Sequence, residues 1–265
     1  MPRRRVDAEL VRRGLVDGPE EAAEAVRSGR VLVRGTPATK TTTLVDAEDP
    51  LVVSGPPRRF VSRGGEKLAA ALDAFAIDPT DRDALDAGAS TGGFTDCLLQ
   101  RGARRVVAVD VGRAQLAWDL RIDPRVTVLE RTNVRDLGGS DLPFTPTIVV
   151  ADLSFISLRL AAGPLVAVSA PDADLVLLVK PQFEADRRQI EPGGVVRDPA
   201  FRRDAIEAVA AAVTEAGAAP RGVIRSPITG PAGNVEFLLH ARRGDGSRPT
   251  DLDASISAAT GSPRR

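Results

Sequence analysis

Cysteine, histidine and tyrosine are almost missing from this sequence. Among 265 residues there are one Cys, one His and no Tyr. A disulfide framework needs paired cysteines, and the usual zinc and iron–sulfur sites need several cysteine or histidine ligands, so the sequence predicts none of these sites and no bound metal. Aromatic residues make up only 3% of the chain, which argues against a sheet that binds RNA by stacking bases on exposed rings.

Long apolar segments are missing as well. No run approaches the roughly 18 residues that a membrane-spanning helix requires, and the three arginines at residues 3–5 are not followed by the apolar stretch of a secretory signal. Hydrophobic residues nevertheless form 43% of the chain, which excludes wholesale disorder. The sequence therefore predicts a folded cytoplasmic protein that does not enter a membrane, and we expect a monomer.

The formal net charge is zero, but the two signs are not evenly distributed. Residues 1–67 carry 13 basic and 10 acidic side chains, whereas the remainder carries 23 basic and 26 acidic ones. Two basic clusters, residues 1–13 and 58–67, each have a net charge of +3. Because nucleic-acid binding depends on local positive charge rather than on the sum, the zero net charge does not exclude an RNA partner.

The hydrophobic pattern changes near residue 55. Residues 1–55 combine two short helical patterns with short apolar strands, which is typical of a small α+β module. Residues 56–62 include two adjacent prolines and are interpreted as a linker. Residues 63–245 form a second, larger domain, and residues 246–265, rich in Ser, Thr, Gly and Asp, predict a loose tail.

Apolar strands alternate with helical stretches in the larger domain. This alternation predicts an α/β fold with a mostly parallel, doubly wound sheet. The predicted strands are 84–86, 106–110, 126–128, 148–152, 175–180 and 235–239, and the predicted helices are 94–101, 114–120, 158–167 and 201–216.

A glycine-rich turn follows the first strand of the larger domain, and its glycines allow a tight turn and a close approach of the backbone to a ligand. An acidic residue at the end of the next strand, Asp110, can bind both hydroxyls of a ribose. The spacing differs from the G-x-G-x-x-G of dinucleotide sites, and a carboxylate at Asp86 suits a cationic cofactor with an amino-acid tail, so we favour S-adenosylmethionine. A dinucleotide site and a turn without a ligand remain alternatives. The candidate cofactor-binding residues are Asp86, Gly88, Ala89, Ser90, Thr91, Gly92, Gly93, Phe94 and Asp110.

Four charged residues form a second candidate site. Asp152 and Lys180 each follow an apolar strand, at the end where open α/β sheets bind their ligands. Glu236 begins the late strand, and Lys67 lies where a helix is expected to begin. Each residue alone is equally compatible with a solvated strand end. A second ammonium nearby favours a neutral lysine, so Lys180 is the candidate general base, with Asp152 and Glu236 orienting the two amines.

Several motifs together resemble the TlyA family of ribosomal RNA 2′-O-methyltransferases, which are sometimes labelled haemolysins. The resemblance covers residues 3 to about 243. It depends on an S4-like pattern from Arg5 to Lys40 and on the motifs Val61–Leu68 (VSRGGEKL), Asp86–Phe94 (DAGASTGGF), Ala151–Ser157 (ADLSFIS), Val179–Glu184 (VKPQFE) and Gly233–Glu236 (GNVE).

The resemblance implies an S4-like RNA-binding domain followed by an FtsJ-like, Rossmann-like methyltransferase domain that uses S-adenosylmethionine. It also implies that Lys67, Asp152, Lys180 and Glu236 are the catalytic group, which methylates the 2′-hydroxyl of a cytidine ribose in ribosomal RNA. The extended start at residues 3–10 resembles family members that modify both subunits, so large- and small-subunit RNA are both expected substrates.

Further site residues are expected from the same resemblance. Asp152 is expected to contact the cofactor as well, together with Val111, Asn133, Val134 and Phe155. Contacts with RNA phosphates are expected from Arg3, Arg4, Arg5, Arg13, Arg30, Lys40 and Arg63.

Three other function classes agree with parts of the sequence. A pore-forming cytolysin would fit the haemolysin label, but the sequence has no signal, membrane span or large amphipathic apolar face. A non-catalytic RNA-binding assembly factor would need only the S4-like segment. An NAD-dependent oxidoreductase would share the strand–turn–helix pattern, but the glycine spacing opposes it.

Overall fold

The structure is a computed structural model, and it describes residues 3–16, 18–55, 59–185, 191, 193–230, 233–244 and 251–263. The chain divides into two compact units, Met1–Arg59 and Phe60–Arg265. The division lies within the segment that the prolines predicted as a linker. Nowhere in these described ranges is a helix both long and apolar enough to cross a membrane.

In the N-terminal unit, helices α1 (Val6–Arg12) and α2 (Pro19–Arg27) pack on short strands. Val6 and Leu10 lie one helical turn apart and are fully buried, because the 3.6-residue period places them on the same face of α1. The strands form antiparallel pairs in the orders β3–β2–β5 and β1–β4, with bounds β1 Arg4–Arg5, β2 Val31–Val33, β3 Thr36–Pro37, β4 Leu44–Val45 and β5 Leu51–Val53.

The C-terminal unit contains, within the described residues, a seven-stranded sheet in the order β11–β12–β10–β9–β6–β7–β8. The five strands from β10 to β8 run parallel, and β12 is antiparallel to both of its neighbours. The predicted α/β class with a mostly parallel sheet is therefore confirmed. The strands are β6 Asp83–Ala87, β7 Arg105–Val109, β8 Val126–Leu129, β9 Ile148–Ala151, β10 Asp174–Val179, β11 Ala218–Arg225 and β12 Phe237–Arg243.

Helices cover both faces of this sheet. Alternate residues of a strand point to opposite faces, so Val149 packs in the core beneath α6 and α8, whereas Val150 packs in the core beneath α3 and α4. Strands buried on both sides explain the continuous apolar runs in the sequence. The helices are α3 Gly64–Ala74, α4 Gly93–Gln100, α5 Trp118–Arg121, α6 Leu158–Val168, α7 Pro181–Glu184, α8 Pro199–Glu215 and α9 Leu252–Thr260.

The prediction of a loose C-terminal tail is wrong for residues 251–263. Asp251 accepts a hydrogen bond of 3.1 Å from the amide of Ala254 and so caps α9, while Ile256 is buried in the main core. The fully buried Arg203 of α8 forms an ion pair with Asp253 and a hydrogen bond of 2.9 Å with Ser257 Oγ. These contacts fix α9 on α8. Residues 246–250 lie outside the described residues.

Two other expectations also change. Phe60, expected in the linker, is buried in the core of the C-terminal unit, and the amide of Val61 donates a hydrogen bond of 2.8 Å to Asp96 Oδ2. The predicted helix 114–120 is reduced to α5, because Ala114 has a φ of +54°, outside the helical region.

Candidate active site

The catalytic candidates lie at one edge of the large sheet. Asp152 follows β9 and Lys180 follows β10, and these neighbouring parallel strands end at the same edge. Strand β12 runs antiparallel and begins opposite the end of β10, which brings Glu236, the residue before β12, to this edge as well. Lys67 approaches from the first turn of α3. Strand register therefore gathers residues that are far apart in the sequence.

The four side chains form a continuous series of ion pairs. Glu236 Oε2 lies 2.5 Å from Lys67 Nζ, which lies 4.0 Å from Asp152 Oδ2. Asp152 Oδ1 lies 2.6 Å from Lys180 Nζ, and Lys180 Nζ donates a hydrogen bond of 2.9 Å to Ser154 Oγ. The structure thus brings together all four residues that were expected to be catalytic.

Most of the charged side chains in this series are buried, which is unusual for ionised groups. Lys67, Lys180 and Glu236 are almost fully buried, whereas 23% of the Asp152 side chain is exposed. Charges removed from water are costly unless each has an opposite charge beside it, and the alternation of two ammonium and two carboxylate groups meets that condition. The cluster consequently holds two lysine amines in defined positions inside the protein.

The glycine-rich turn lies beside this cluster, between β6 and α4. Gly88 has a φ of +84°, and a Cβ atom there would lie 2.5 Å from the carbonyl oxygen of Asp152. Gly92 has a φ of +100°, and a Cβ atom there would collide with Leu116 and Leu120. Both positions therefore require glycine, for conformation and for space. The close approach at Gly88 also joins the turn to the catalytic cluster.

Asp86 is a fully buried carboxylate in the strand that leads into this turn. Its Oδ2 accepts a hydrogen bond of 2.7 Å from Thr95 Oγ1, whereas its Oδ1 has no hydrogen-bond partner within the part of the chain that the structure describes. Burial, with the charges of Asp152 and Asp110 adding to it, raises the pKa of Asp86 to about 7. A cationic ligand group would satisfy this carboxylate, which fits the amino-acid end of S-adenosylmethionine.

Asp110 directly follows the neighbouring strand β7 and joins it to the turn. Its Oδ2 accepts a hydrogen bond of 2.8 Å from the amide of Ser90, and its Oδ1 accepts one of 2.7 Å from the amide of Gly112. Asp110 also lines the cavity, and each of its oxygens can accept a further hydrogen bond. The position suits a ligand ribose.

A cavity of about 680 Å³ opens between the turn and the cluster. Eight expected cofactor residues line it, namely Gly88, Ser90, Asp110, Val111, Asn133, Val134, Asp152 and Phe155. The other six expected residues, Asp86, Ala89, Thr91, Gly92, Gly93 and Phe94, do not line the cavity and instead shape the turn from behind.

Sequence reasoning missed part of the lining. The additional residues are Val109, Gln115, Thr132, Arg135, Leu153, Ser154, Ile156, Ser157 and Leu160. Most of them adjoin an expected residue, and Leu153 to Ser157 directly follow Asp152. Extending each motif by the neighbours on its loop would have found them.

The FtsJ-like methyltransferase family model matches residues 60–243, the part of the chain that contains this cavity and cluster. This chain belongs to the FtsJ-like methyltransferase family. It is 52% identical, over 97% of its length and 93% of the relative, to the Mycobacterium tuberculosis protein named 16S/23S rRNA (cytidine-2′-O)-methyltransferase TlyA. It is 44% identical, over 94% of its length and 89% of the relative, to Bacillus subtilis YqxC, whose name describes an rRNA methyltransferase.

A solved structure extends the similarity to nearly the whole chain. A Streptococcus thermophilus protein named as a hemolysin superposes with a TM-score of 0.82 at 40% identity, covering 98% of this chain and 95% of that one. The resemblance to the TlyA family is therefore confirmed, and this methyltransferase shares its architecture with proteins that carry either name.

The structure separates the expected RNA-binding residues of the methyltransferase into two groups. Arg13 donates hydrogen bonds of 2.7 Å to the carbonyl oxygens of Ala47 and Asp49, and its Nε lies 2.8 Å from Glu9 Oε1. These hydrogen bonds use its donors within the fold, and the contact of Arg13 with RNA stays a prediction.

The remaining expected RNA-binding residues are available at the surface to differing degrees. Arg3 pairs with Asp46 and Arg5 with Asp7, both in exposed positions. Arg30 is half-buried and donates a hydrogen bond to Ser28 Oγ. The side chains of Arg4, Lys40 and Arg63 are exposed and make no hydrogen bond or ion pair with the residues that the structure describes.

A second cavity, of about 550 Å³, lies at the opposite edge of the sheet. Several of its polar side chains contact one another: Arg82 Nη1 lies 2.8 Å and His240 Nε2 2.9 Å from the carboxylate of Asp174, and Arg104 pairs with Asp83. In the described ranges no group of three or more His, Cys, Asp or Glu side chains is placed to hold a metal ion.

Proposed function

We propose that the protein uses S-adenosylmethionine to methylate the 2′-hydroxyl of a cytidine ribose in ribosomal RNA. The observation that carries this proposal is the buried Lys67–Asp152–Lys180–Glu236 cluster, whose Asp152 also lines a cofactor-sized cavity. The relative from M. tuberculosis, at 52% identity, is named for this same transfer. Because its proposed substrates are ribosomal subunits, we expect the protein to act in the cytoplasm. We also expect it to act as a monomer.

The cavity offers suitable groups for S-adenosylmethionine. Asp110 lines the cavity and would hold the ribose hydroxyls, whereas the buried carboxylate of Asp86 lies behind the glycine-rich turn and would attract the ammonium group from there. Val111, Asn133 and Val134 line the remaining wall, where an adenine would lie. When bound, the cofactor supplies an electrophilic methyl group. The exposed edge of Asp152 marks the side from which the RNA ribose would approach.

Lys180 is the proposed general base. A ribose hydroxyl is a poor nucleophile until its proton is removed. Once its own ammonium proton has left, Lys180 Nζ would accept the hydroxyl proton as the oxygen attacks the methyl group. Asp152 Oδ1 and Ser154 Oγ hold Nζ in place at 2.6 and 2.9 Å. Lys67, paired with Glu236 at 2.5 Å, supplies a positive charge close to the developing alkoxide.

The N-terminal unit is proposed to position the RNA. It carries the exposed side chains of Arg3, Arg4, Arg5 and Lys40, and an S4-like RNA-binding module would use such groups on phosphates. The M. tuberculosis relative is named for both 16S and 23S rRNA. Given the near full-length match, we propose RNA of both subunits as substrates.

The decisive experiment measures methyl transfer from labelled S-adenosylmethionine to isolated small and large ribosomal subunits, followed by mapping of the modified nucleotides. We expect a 2′-O-methylcytidine in each subunit. A methyl group on a base would overturn the 2′-O assignment, and modification of one subunit would overturn the dual substrate. RNA binding without any transfer would instead support an assembly factor.

A matched pair of variants tests the base. Lys180→Arg keeps the positive charge beside Asp152, but a guanidinium does not lose a proton near neutral pH. We expect at least about a 100-fold loss of kcat, the contribution typical of general bases, with cofactor affinity within about threefold of wild type. The exposed Glu215→Ala, at the end of α8, serves as the control. Full activity of Lys180→Arg would refute the assignment.

A further inference from the structure

The loop Asp152–Ser157, between β9 and α6, serves both the cluster and the cavity. Asp152 and Ser154 contact Lys180 Nζ, and residues 152–157 line the cavity. Phe155 has a φ of +64°, a left-handed conformation that non-glycine residues rarely adopt. Such a loop keeps its shape only if the surrounding structure holds it.

Helix α7, which begins directly after Lys180, contacts the far end of this loop. Glu184, with 1% of its side chain exposed, accepts a hydrogen bond of 2.5 Å from Ser157 Oγ at Oε2. Its Oε1 accepts one of 2.6 Å from the amide of Leu158, the first residue of α6. The Phe183 ring also lies 5.6 Å from the Phe155 ring. The loop is therefore held at both ends by the segment that carries Lys180.

We propose that Glu184 is a positioning residue for the methyl-transfer site. By fixing Ser157 and the start of α6 to α7, it keeps Asp152 and Ser154 within hydrogen-bond distance of Lys180 Nζ and keeps the cavity wall in shape. Glu184 acts through the loop, not on the reacting atoms. This inference rests on the proposed role of Lys180 as base.

The bonding pattern favours this role over simple helix capping. A cap needs one acceptor for the amides of a helix N-terminus, and Ser157 already accepts from the amide of Arg159 at 3.2 Å. Glu184 adds a second acceptor and binds the capping hydroxyl itself. Burial raises the pKa of Glu184, and the hydrogen bonds from Ser157 and Leu158 and the charge of Arg159 oppose this rise.

Three substitutions test the proposal. In Glu184→Gln the amide oxygen can accept from Leu158 and the amide nitrogen can donate to Ser157 Oγ, so we expect kcat within about threefold of wild type. Glu184→Asp is too short to reach both donors, and Glu184→Ala reaches neither. For both we expect at least about a tenfold loss of kcat with little change in KM for RNA. Glu215→Ala is again the exposed control.

Two further measurements separate positioning from stability. If Asp152 and Ser154 leave Lys180 in Glu184→Asp, the midpoint of the pH–rate profile should move by about half a pH unit or more. Amide hydrogen exchange of residues 153–158 should accelerate in the free protein, whereas exchange in β6 should not. Glu184→Asp is the variant of choice if Glu184→Ala fails to fold.

The outcomes distinguish this inference from the proposed function. Variants that melt at a lower temperature but retain wild-type kcat, pH profile and loop exchange would overturn the positioning role. Wild-type protein without methyl transfer would refute the proposed function, and the exchange measurement would still test whether Glu184 holds the loop.

Discussion

At the scale of the residue, Asp86 shows how a carboxylate placed for a ligand can lower the stability of the free protein. Its carboxyl group has a pKa of about 7 in the folded chain, against an ordinary value of 3.8. Between these two values the unfolded chain has lost a proton that the folded chain retains. The free energy of unfolding must therefore fall as the pH rises through this window.

This linkage gives a prediction for stability. From about pH 4 to pH 7, Asp86 should lower the stability of the free protein by at most about 1.4 kcal/mol per pH unit, and above about pH 8 its contribution should stay constant. Urea unfolding of wild type and Asp86→Asn across this range measures the difference. Parallel pH dependences of the two proteins would show that Asp86 does not titrate in this window.

Gly88 gives a second prediction at this scale. The substitution Gly88→Ala combines an unfavourable φ of +84° with a Cβ atom only 2.5 Å from the Asp152 carbonyl. The turn must shift, and we expect cofactor affinity to fall at least about tenfold, the effect of misplacing a ligand site by a fraction of an ångström. Isothermal titration with S-adenosylmethionine is the measurement, and unchanged affinity would contradict the role of this turn.

The matched control for Gly88 lies in α6. Gly163 is exposed, and a Cβ atom there would meet no atom within 4 Å outside its chain neighbours and the backbone of its own helix. Alanine is the better helix former, but Pro164 follows and opposes a helical Cβ-bearing residue, so Gly163→Ala should change the stability by no more than about 1 kcal/mol with no effect on cofactor binding.

At the scale of the element, the apolar strands were predictable and two other elements were not. Strands β7, β9 and β10 are buried on both faces over almost their whole length, so each produces a continuous apolar run that the sequence shows directly, whereas the edge strand β8 is only partly buried. Strand β11 contains Pro220 and Gly222 at a β-bulge and is buried less evenly, so no such run marks it. Helix α9 was missed because its polar composition resembles a disordered tail, although its apolar residues pack against the core.

Part of the candidate site was likewise predictable from the sequence, and part was not. The glycine-rich turn and the charged residues that follow apolar strands were predictable, because the topology places strand ends and βα turns at one edge of the sheet. The role of Glu184 was not, because its partners Ser157 and Leu158 lie on a different helix. Arg13 likewise carries no local sign that its guanidinium is used internally.

The attachment of α9 gives a prediction at this scale. Arg203, with 2% of its side chain exposed, pairs with Glu207 and Asp253, which are both about one-third exposed. Because water can still reach these carboxylates, Arg203→Met should cost about 2 kcal/mol rather than the larger penalty of a stranded buried charge. The melting temperature should fall by about 4–8 °C.

The surface pair Arg197–Glu191 provides the control for Arg203. Both side chains are at least half exposed, so Arg197→Met should change the melting temperature by no more than about 2 °C. Equal effects of the two substitutions would show that α9 is not fixed through Arg203.

At the scale of the whole molecule, positive charge is concentrated where RNA would bind. Residues 1–67 have 13 basic and 10 acidic side chains, against 23 and 26 in the rest, so a neutral protein can carry a local RNA-binding surface. Binding that depends on few contacts should be modest in affinity and sensitive to salt.

Two arginines of the N-terminal unit test this view. Arg4→Ala should weaken binding to ribosomal subunits and lower the slope of log affinity against log salt by about 0.7–0.9, with an unchanged melting temperature. Arg13→Ala should lower the melting temperature, because its hydrogen bonds hold residues 47 and 49. An unchanged affinity of Arg4→Ala would place the RNA contact elsewhere.

The ion pair between Lys67 and Glu236 joins residues 169 positions apart, across a sheet whose strand β12 lies between β10 and β11. The partner of Lys67 is thus synthesised 169 residues after it. A nascent chain cannot complete its catalytic cluster until β12 has left the ribosome and inserted into the sheet. Contacts of such long range form slowly in folding, so the proposed methyl transfer should begin only after β12 has been synthesised and has folded.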